Sequence, residues 1–201
     1  MNDTVRDVMG FADQVPHTTL DMGVPEWIFN IQARTEIVGK YCYIGAMSYE
    51  RQFDKVIDSF LKNKEEGDTF VLVGQPEQKL LEQYKNEKSL VFTGKVSQKE
   101  ALEIVKSCEF AVCYFPYHRP HCYQTPTKLL EYAALGVNII CNDSPSNTRA
   151  LSELGIEAVV TKKNVFDNLA DIKTTKYTSK EKIMRLEWSE VIKKANLHDF
   201  I

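Results

Sequence analysis

From residue 41 onward, short apolar runs alternate with stretches whose apolar positions recur at helical spacing. Residues 41–45 (YCYIG), 69–74 (TFVLVG) and 90–94 (LVFTG) read as strands that each end in glycine. Residues 110–115 and 137–141 read as a fourth and a fifth strand, and 156–160 as a sixth. Between them, residues 49–63 carry Phe53, Val56, Ile57, Phe60 and Leu61 on one helical face. Residues 77–86, 126–135 and 144–154 read as further helices, and Ser97 with Glu100 three residues on forms a capping box that opens another. Strands of about five residues alternating with helices of about ten predict βα units and a parallel sheet. The strands are apolar throughout rather than alternating, as expected when helices cover both faces. The fold class is therefore α/β: a Rossmann-like parallel sheet of about six strands flanked by helices.

The flanks differ from this pattern. Residues 1–40 lack the alternation and hold 3 basic against 6 acidic residues. A helix is expected near 3–14, followed by an irregular connector through Pro16 and Pro25. Residues 161–185 hold 7 basic and 3 acidic residues, and a last helix is expected over 179–197. The chain thus divides into 1–40, a sheet domain over 41–178 and a closing helical segment over 179–201.

Charge and composition remove several function classes. Across 201 residues, 25 Lys and Arg against 28 Asp and Glu give a net charge of −3, so no broadly basic nucleic-acid surface is expected. No apolar run approaches the length of a membrane-spanning helix, and the first residues lack the apolar core of a secretory signal. The five cysteines are odd in number and contain no C-x-x-C pair. They read as small buried hydrophobes in a reduced, cytoplasmic setting.

An open parallel sheet binds its ligand outside the carboxyl ends of the strands, where Gly45, Gly74 and Gly94 fall. Neither a G-x-G-x-x-G fingerprint nor a Walker A loop is present. The most informative stretch is FPYHRPHCYQTPTKLLEYAALGVNIICND, residues 115–143. Thr125 followed by Pro126 reads as an N-cap and a first-position proline. The start of that helix is an anion site suited to a diphosphate, with the amides of Thr127 and Lys128 as donors. Glu131, about one turn in, can accept two hydrogen bonds from a vicinal diol such as a ribose; it also fits a surface carboxylate favoured by the helix dipole. Gly136 reads as the C-cap. His118, Arg119 and His121 supply too few ligands for a metal and read as a pocket-lining loop or a plain surface loop.

These pieces, in this order, resemble the C-terminal, nucleotide-sugar-binding domain of the retaining family 4 glycosyltransferases of the GT-B fold. The resemblance runs from Tyr41 to Trp188 and is clearest in PTKLLEYAALG, residues 126–136, with the strand VNIICND after it. VLVGQ, LVFTGKV and the late Trp188 match in order and spacing. The resemblance implies a nucleotide-diphosphate sugar as donor substrate, no metal, and retaining transfer to a glycan or a lipid-linked acceptor. It implies two glutamates eight positions apart: Glu131 is the second, for the ribose, and Tyr123 stands at the first. It also implies a basic pair after the first strand, where Ala46 stands in place of the arginine and Arg51 in place of the lysine. The donor-binding residues expected are therefore Glu131, Arg51, Gly45, Thr125, Thr127 and Lys128, with Lys95 and Arg119 added by position alone.

DMGVPEWIF, residues 21–29, resembles the linker between the two domains of such enzymes, so residues 1–20 read as the tail of an N-terminal domain. That domain, or a partner chain, would supply the acceptor site, and little transfer is expected from this chain alone. Two alternatives stay open: a non-catalytic nucleotide-sugar-binding subunit, and an epimerase of the same fold. The basic stretch 161–185 fits either peripheral contact with the inner face of a membrane or a solvated surface.

Overall fold

Six strands form one parallel sheet: β1 (Tyr41–Ile44), β2 (Phe70–Val73), β3 (Leu90–Gly94), β4 (Phe110–Cys113), β5 (Asn138–Asn142) and β6 (Val159–Thr161). The computed structural model describes Gly10, Thr18 and residues 20–34, 36–119, 121–167 and 178–195. Apart from Gly10, the helix expected near 3–14 lies outside the described residues, as does part of the basic stretch 161–185. The spatial order is β3-β2-β1-β4-β5-β6. The expected Rossmann-like sheet of six strands is thus the observed one.

The connecting helices are α1 (Phe53–Asn63), α2 (Gln78–Tyr84), α3 (Gln98–Lys106), α4 (Thr127–Leu135) and α5 (Pro145–Leu154). The side-chain period of two along each strand sorts the core into two layers. Cys42, Val71, Val73, Ala111, Cys113, Ile139 and Cys141 face a layer built with α3, α4 and α5. Tyr41, Tyr43, Phe70, Leu72, Phe110, Val112 and Ile140 face the other, with α1 and α2. The first face is small and lets helices approach closely. The second is aromatic, and Tyr41, Phe60 and Phe70 meet Phe166 at ring-centroid distances of 5.1 to 5.3 Å. All five cysteines are free and buried, as expected of small hydrophobes.

Ser97 caps α3 through the expected box with Glu100, and Gly136 ends α4 at φ 65°. Four boundaries differ from expectation. The first helix begins at Phe53 rather than near 49, after Gln52 turns left-handed at φ 55°. β4 stops at Cys113 rather than 115, because Phe115 leaves the ladder: its amide donates to Asn142 Oδ1 at 3.0 Å and its carbonyl accepts from Asn142 Nδ2 at 2.8 Å. Asn147 Nδ2 in turn reaches Cys113 O and Asn142 O, both at 3.1 Å. β6 lies at Val159–Thr161 rather than 156–160. The closing helix is two pieces, α6 (Lys180–Met184) and α7 (Trp188–Lys194). The break has a tertiary cause. The Val24 amide donates to Leu186 O at 2.8 Å, and the Trp188 amide donates to Val24 O at 3.0 Å, so the chain there is extended. Val24, Ile28 and Ile31 are buried in the same layer as α4, so the connector packs on the sheet domain. Among the described residues no helix is long and apolar enough to cross a membrane.

Candidate functional site

The chain adds strands outward from β1 to β3, then returns to the other side of β1 with β4 and continues to β6. The loops after β1 and β4 therefore diverge and leave a crevice at the carboxyl edge, the usual ligand position in such sheets. Two glycines shape it. Gly45 has φ 132° and Gly74 φ 129°, values that side chains rarely adopt. A Cβ on Gly74 would come within 2.7 Å of Gly45 O, so the two turns stack with no room between them.

An open cleft of about 290 Å³ lies beside these turns, lined in part by Ile44, Gly45, Gly74, Lys95, Gln98 and Glu131. Helix α4 contributes Glu131 to its lining. Leu129, Leu130, Tyr132 and Ala133 are buried, and this turns Lys128 and Glu131, three residues apart, to the side facing the cleft. The Ile44 amide donates to Tyr132 Oη at 3.1 Å, which ties α4 to the end of β1. Tyr132→Phe leaves that amide without its partner and should lower stability by about 1 kcal/mol, read as a shift in thermal unfolding.

Lys128 is held between two rings. Its Nζ lies 4.9 Å from the centroid of Tyr43 and 5.4 Å from that of Phe115. It also lies over the Gly45 turn: a Cβ built on Gly45 would meet Lys128 Cε at 2.7 Å and Nζ at 3.1 Å. The Tyr43 hydroxyl donates to Ala46 O at 3.1 Å and so fixes the same turn. A cation is thereby set at the mouth of the crevice with no carboxylate in ion-pair contact among the described residues. Three residues on, Glu131 Oε1 accepts from Gln98 Nε2 at 2.9 Å. Burial raises the Glu131 carboxyl above its ordinary value, against the pull of the Gln98 hydrogen bond and the Lys128 charge.

Residues 28–194 match the model of the glycosyl transferases group 1 family. The chain belongs to that family. The solved structures it resembles have the same fold. AviGT4, a glycosyltransferase involved in avilamycin A biosynthesis, superposes with a TM-score of 0.67 at 14% identity, covering 99% of this chain and 61% of its own. The lipopolysaccharide outer core galactosyltransferase WaaB gives 0.64 at 16% identity, covering 98% and 59%. The C-terminal domain of the group 1 protein LpcC from Francisella tularensis gives 0.56 at 16% identity, covering 86% of this chain and 98% of that domain. The chain therefore spans about three-fifths of the length of the first two and nearly all of the third. No curated protein sequence matches the chain.

Within this group 1 glycosyltransferase domain, the expected site residues separate. Gly45, Lys95, Lys128 and Glu131 come together at the cleft and its mouth. Arg51 lies in the turn before α1, outside the cleft lining, with its amide donating to Ser48 Oγ at 3.2 Å. Thr125 is not the cap: Pro126 holds that position, at ψ 82°, and no side chain caps the helix. The Thr127 amide donates to Thr125 O at 3.0 Å, and among the described residues the Lys128 amide has no backbone acceptor at the helix start. Arg119 sits over the Tyr123 ring, 5.4 Å from its centroid. Tyr43, Phe115 and Gln98 touch these groups and stand outside the expected set. The first two read as strand core, and Gln98 carries no local signal beyond following a cap.

Proposed function

We propose that this domain is the donor-binding half of a retaining, family 4 glycosyltransferase that uses a nucleotide-diphosphate sugar. The observation that carries the reading is the Lys128 ammonium over the Gly45 turn, with Glu131 three residues further along α4. The nucleoside occupies the cleft, its ribose hydroxyls donating to Glu131. The diphosphate lies over Gly45, between Lys128 Nζ and the Lys128 amide, where the helix dipole adds to the positive field. As the bond from sugar to diphosphate breaks, the leaving group gains negative charge, which these fixed groups stabilise. Lys95, and Arg51 after a rearrangement of its side chain, reinforce the field. The reading calls for no metal, since the cations are side chains. The Lys128 side chain supplies the charge that Ala46 cannot.

An acceptor, glycan or lipid-linked, would be held by a further domain or partner chain, which agrees with a span of about three-fifths of the longer solved relatives. The same reading sets the domain in the cytoplasm, with the basic stretch 161–185 toward a membrane face when the acceptor is lipid-linked. A second reading, a nucleotide-sugar-binding subunit without transfer activity, draws on Tyr123, which offers an Arg119-stacked ring and no carboxylate.

A thermal-shift panel of UDP, GDP, ADP and CMP with their sugars tests the donor site. A nucleoside diphosphate at 100 times its dissociation constant should add about 2.7 kcal/mol of stability. No shift with any of them would overturn the reading. A shift without transfer, once a front domain is supplied, would favour the second reading over the first.

A further inference from the structure

Glu131 is half-buried, and its carboxylate has a single hydrogen-bond donor among the described residues: Gln98 Nε2, 2.9 Å from Oε1. The contact joins α3 to α4, and both residues line the cleft. Among the described residues no lysine or arginine makes an ion pair with Glu131, although Lys128 stands on the same helix and Lys95 lines the same cleft. Gln98 is the first residue of α3, and its backbone is held by its neighbours. Ser97 Oγ accepts from the Glu100 amide at 3.2 Å, and the Ser97 amide donates to Glu100 Oε2 at 3.2 Å. Glu100 Oε1 accepts in turn from Arg34 Nη1 of the connector at 3.1 Å. The side chain of Gln98 is exposed and plays no part in this cap.

An ionised carboxylate offers about four lone-pair positions on its two oxygens. Gln98 takes one of them, on Oε1, and Oε2 has no hydrogen-bond partner among the described residues. The terminal torsion of a glutamate is broad, so a carboxylate with no partner samples many planes. Two adjacent hydroxyls need both oxygens in one plane at once. A single amide donor fixes that plane and leaves the remaining lone pairs open. Being neutral, it also leaves the negative charge intact, which an ammonium in the same place would cancel.

Resting on the donor reading above, we propose that Gln98 is a positioning residue that holds the Glu131 carboxylate in the plane that receives both ribose hydroxyls. It thereby sets how strongly the site prefers a ribonucleotide over its 2′-deoxy counterpart. Gln98 needs no contact with the nucleotide for this. Its effect passes through Glu131 and falls on the ligand only where the diol is present.

The test is a titration of the full 201-residue chain with UDP against 2′-deoxy-UDP and GDP against 2′-deoxy-GDP, compared within whichever pair binds. The wild type should bind the ribonucleotide about 30-fold more tightly, the worth of one hydrogen bond to a charged acceptor. Gln98→Leu removes the donor at an exposed position and should cut that preference to about fivefold, leaving the deoxynucleotide nearly unchanged. Gln98→Glu suits the helix start but sets a second carboxylate against Glu131, and should cut the preference at least as far. Glu131→Gln, run beside them, should lose most of it. If Glu131→Gln loses the preference and Gln98→Leu keeps it whole, the positioning role is wrong and the donor reading stands. If Gln98→Leu weakens both members of a pair equally, Gln98 acts on the cleft directly and the inference is likewise overturned. If the wild type binds a diphosphate but ignores the 2′-hydroxyl, the inference falls together with the ribose role of Glu131. If it binds no nucleotide of either pair, the donor reading falls and takes the inference with it.

Discussion

Lys128→Met should weaken the binding of a nucleoside diphosphate by roughly 30-fold or more while leaving the affinity for the matching nucleoside nearly unchanged. The reasoning starts from how the ammonium is held. Its methylene stem passes over Gly45 and its head lies between the rings of Tyr43 and Phe115, at 4.9 and 5.4 Å. Little side-chain entropy is left to lose when a phosphate arrives, so the charge is preorganised. Removing one partner of a hydrogen-bonded, partly desolvated charge pair costs about 2–5 kcal/mol, and each 1.4 kcal/mol is tenfold in affinity. Methionine keeps the stem's volume between the rings, so thermal unfolding should barely move. Paired calorimetric titrations with the diphosphate and the nucleoside check this. An equal loss for both ligands would mean that Lys128 only props up the fold. No loss for either would remove it from the site.

Glu131→Gln should weaken both nucleoside and nucleoside diphosphate by about 10- to 100-fold and at the same time leave the free protein as stable or more stable at neutral pH. Hydrogen bonds to a charged acceptor are worth about 1.5–3 kcal/mol, and a neutral amide oxygen replaces one of the two carboxylate oxygens with a donor. The stability effect has the opposite sign because burial raises the Glu131 carboxyl in the folded chain. The fold then prefers the protonated form. That contribution is fully present below the ordinary glutamate value of about 4.3 and is lost as pH rises through the folded value, so at neutral pH the ionised group is a cost. Unfolding temperatures of wild type and variant should therefore differ most near pH 7 and converge below about pH 4. A variant that binds normally would leave Glu131 as the plain helix-surface carboxylate that its position also allows.

The two variants bear on different parts of one ligand. On the proposed donor reading, the loss at Lys128 should fall on the phosphates alone, whereas the loss at Glu131 should fall on the nucleoside whether or not phosphates are present. Their patterns against the nucleoside and diphosphate pair thus locate the ligand along α4, as well as reporting whether it binds.

Much of the architecture was legible in the chain because it rests on local rules. The strand at 70–73 and the helix at 53–63 follow from apolar runs and helical spacing, and the cap at Ser97 and the stop at Gly136 follow from side-chain and backbone chemistry within one turn. Errors arose where a distant segment intervened. The closing helix breaks because Val24 takes two backbone hydrogen bonds around Leu186 and Trp188. β4 ends early because the Asn142 side chain takes over the backbone of Phe115. Thr125 differs, since it loses its capping role locally, to a turn in which its own carbonyl accepts from Thr127.

The sequence by itself determined that a parallel α/β sheet forms, that glycines end its first three strands, and that a lysine and a glutamate stand three apart near a helix start. These depend on periodicity and short-range sterics, which a linear reading can follow. Only the tertiary structure decided that the lysine lies over Gly45 between Tyr43 and Phe115, that Gln98 meets Glu131, and that the Glu50 carboxylate comes near the His121 ring. Which face of α4 turns to the cleft follows from the burial of Leu129, Leu130 and Tyr132 against the sheet, and β1 lies beside β4 because the strand order reverses there. Both are outcomes of long-range packing, in which residues far apart in the chain compete for one buried surface, and no local pattern encodes which of them will meet.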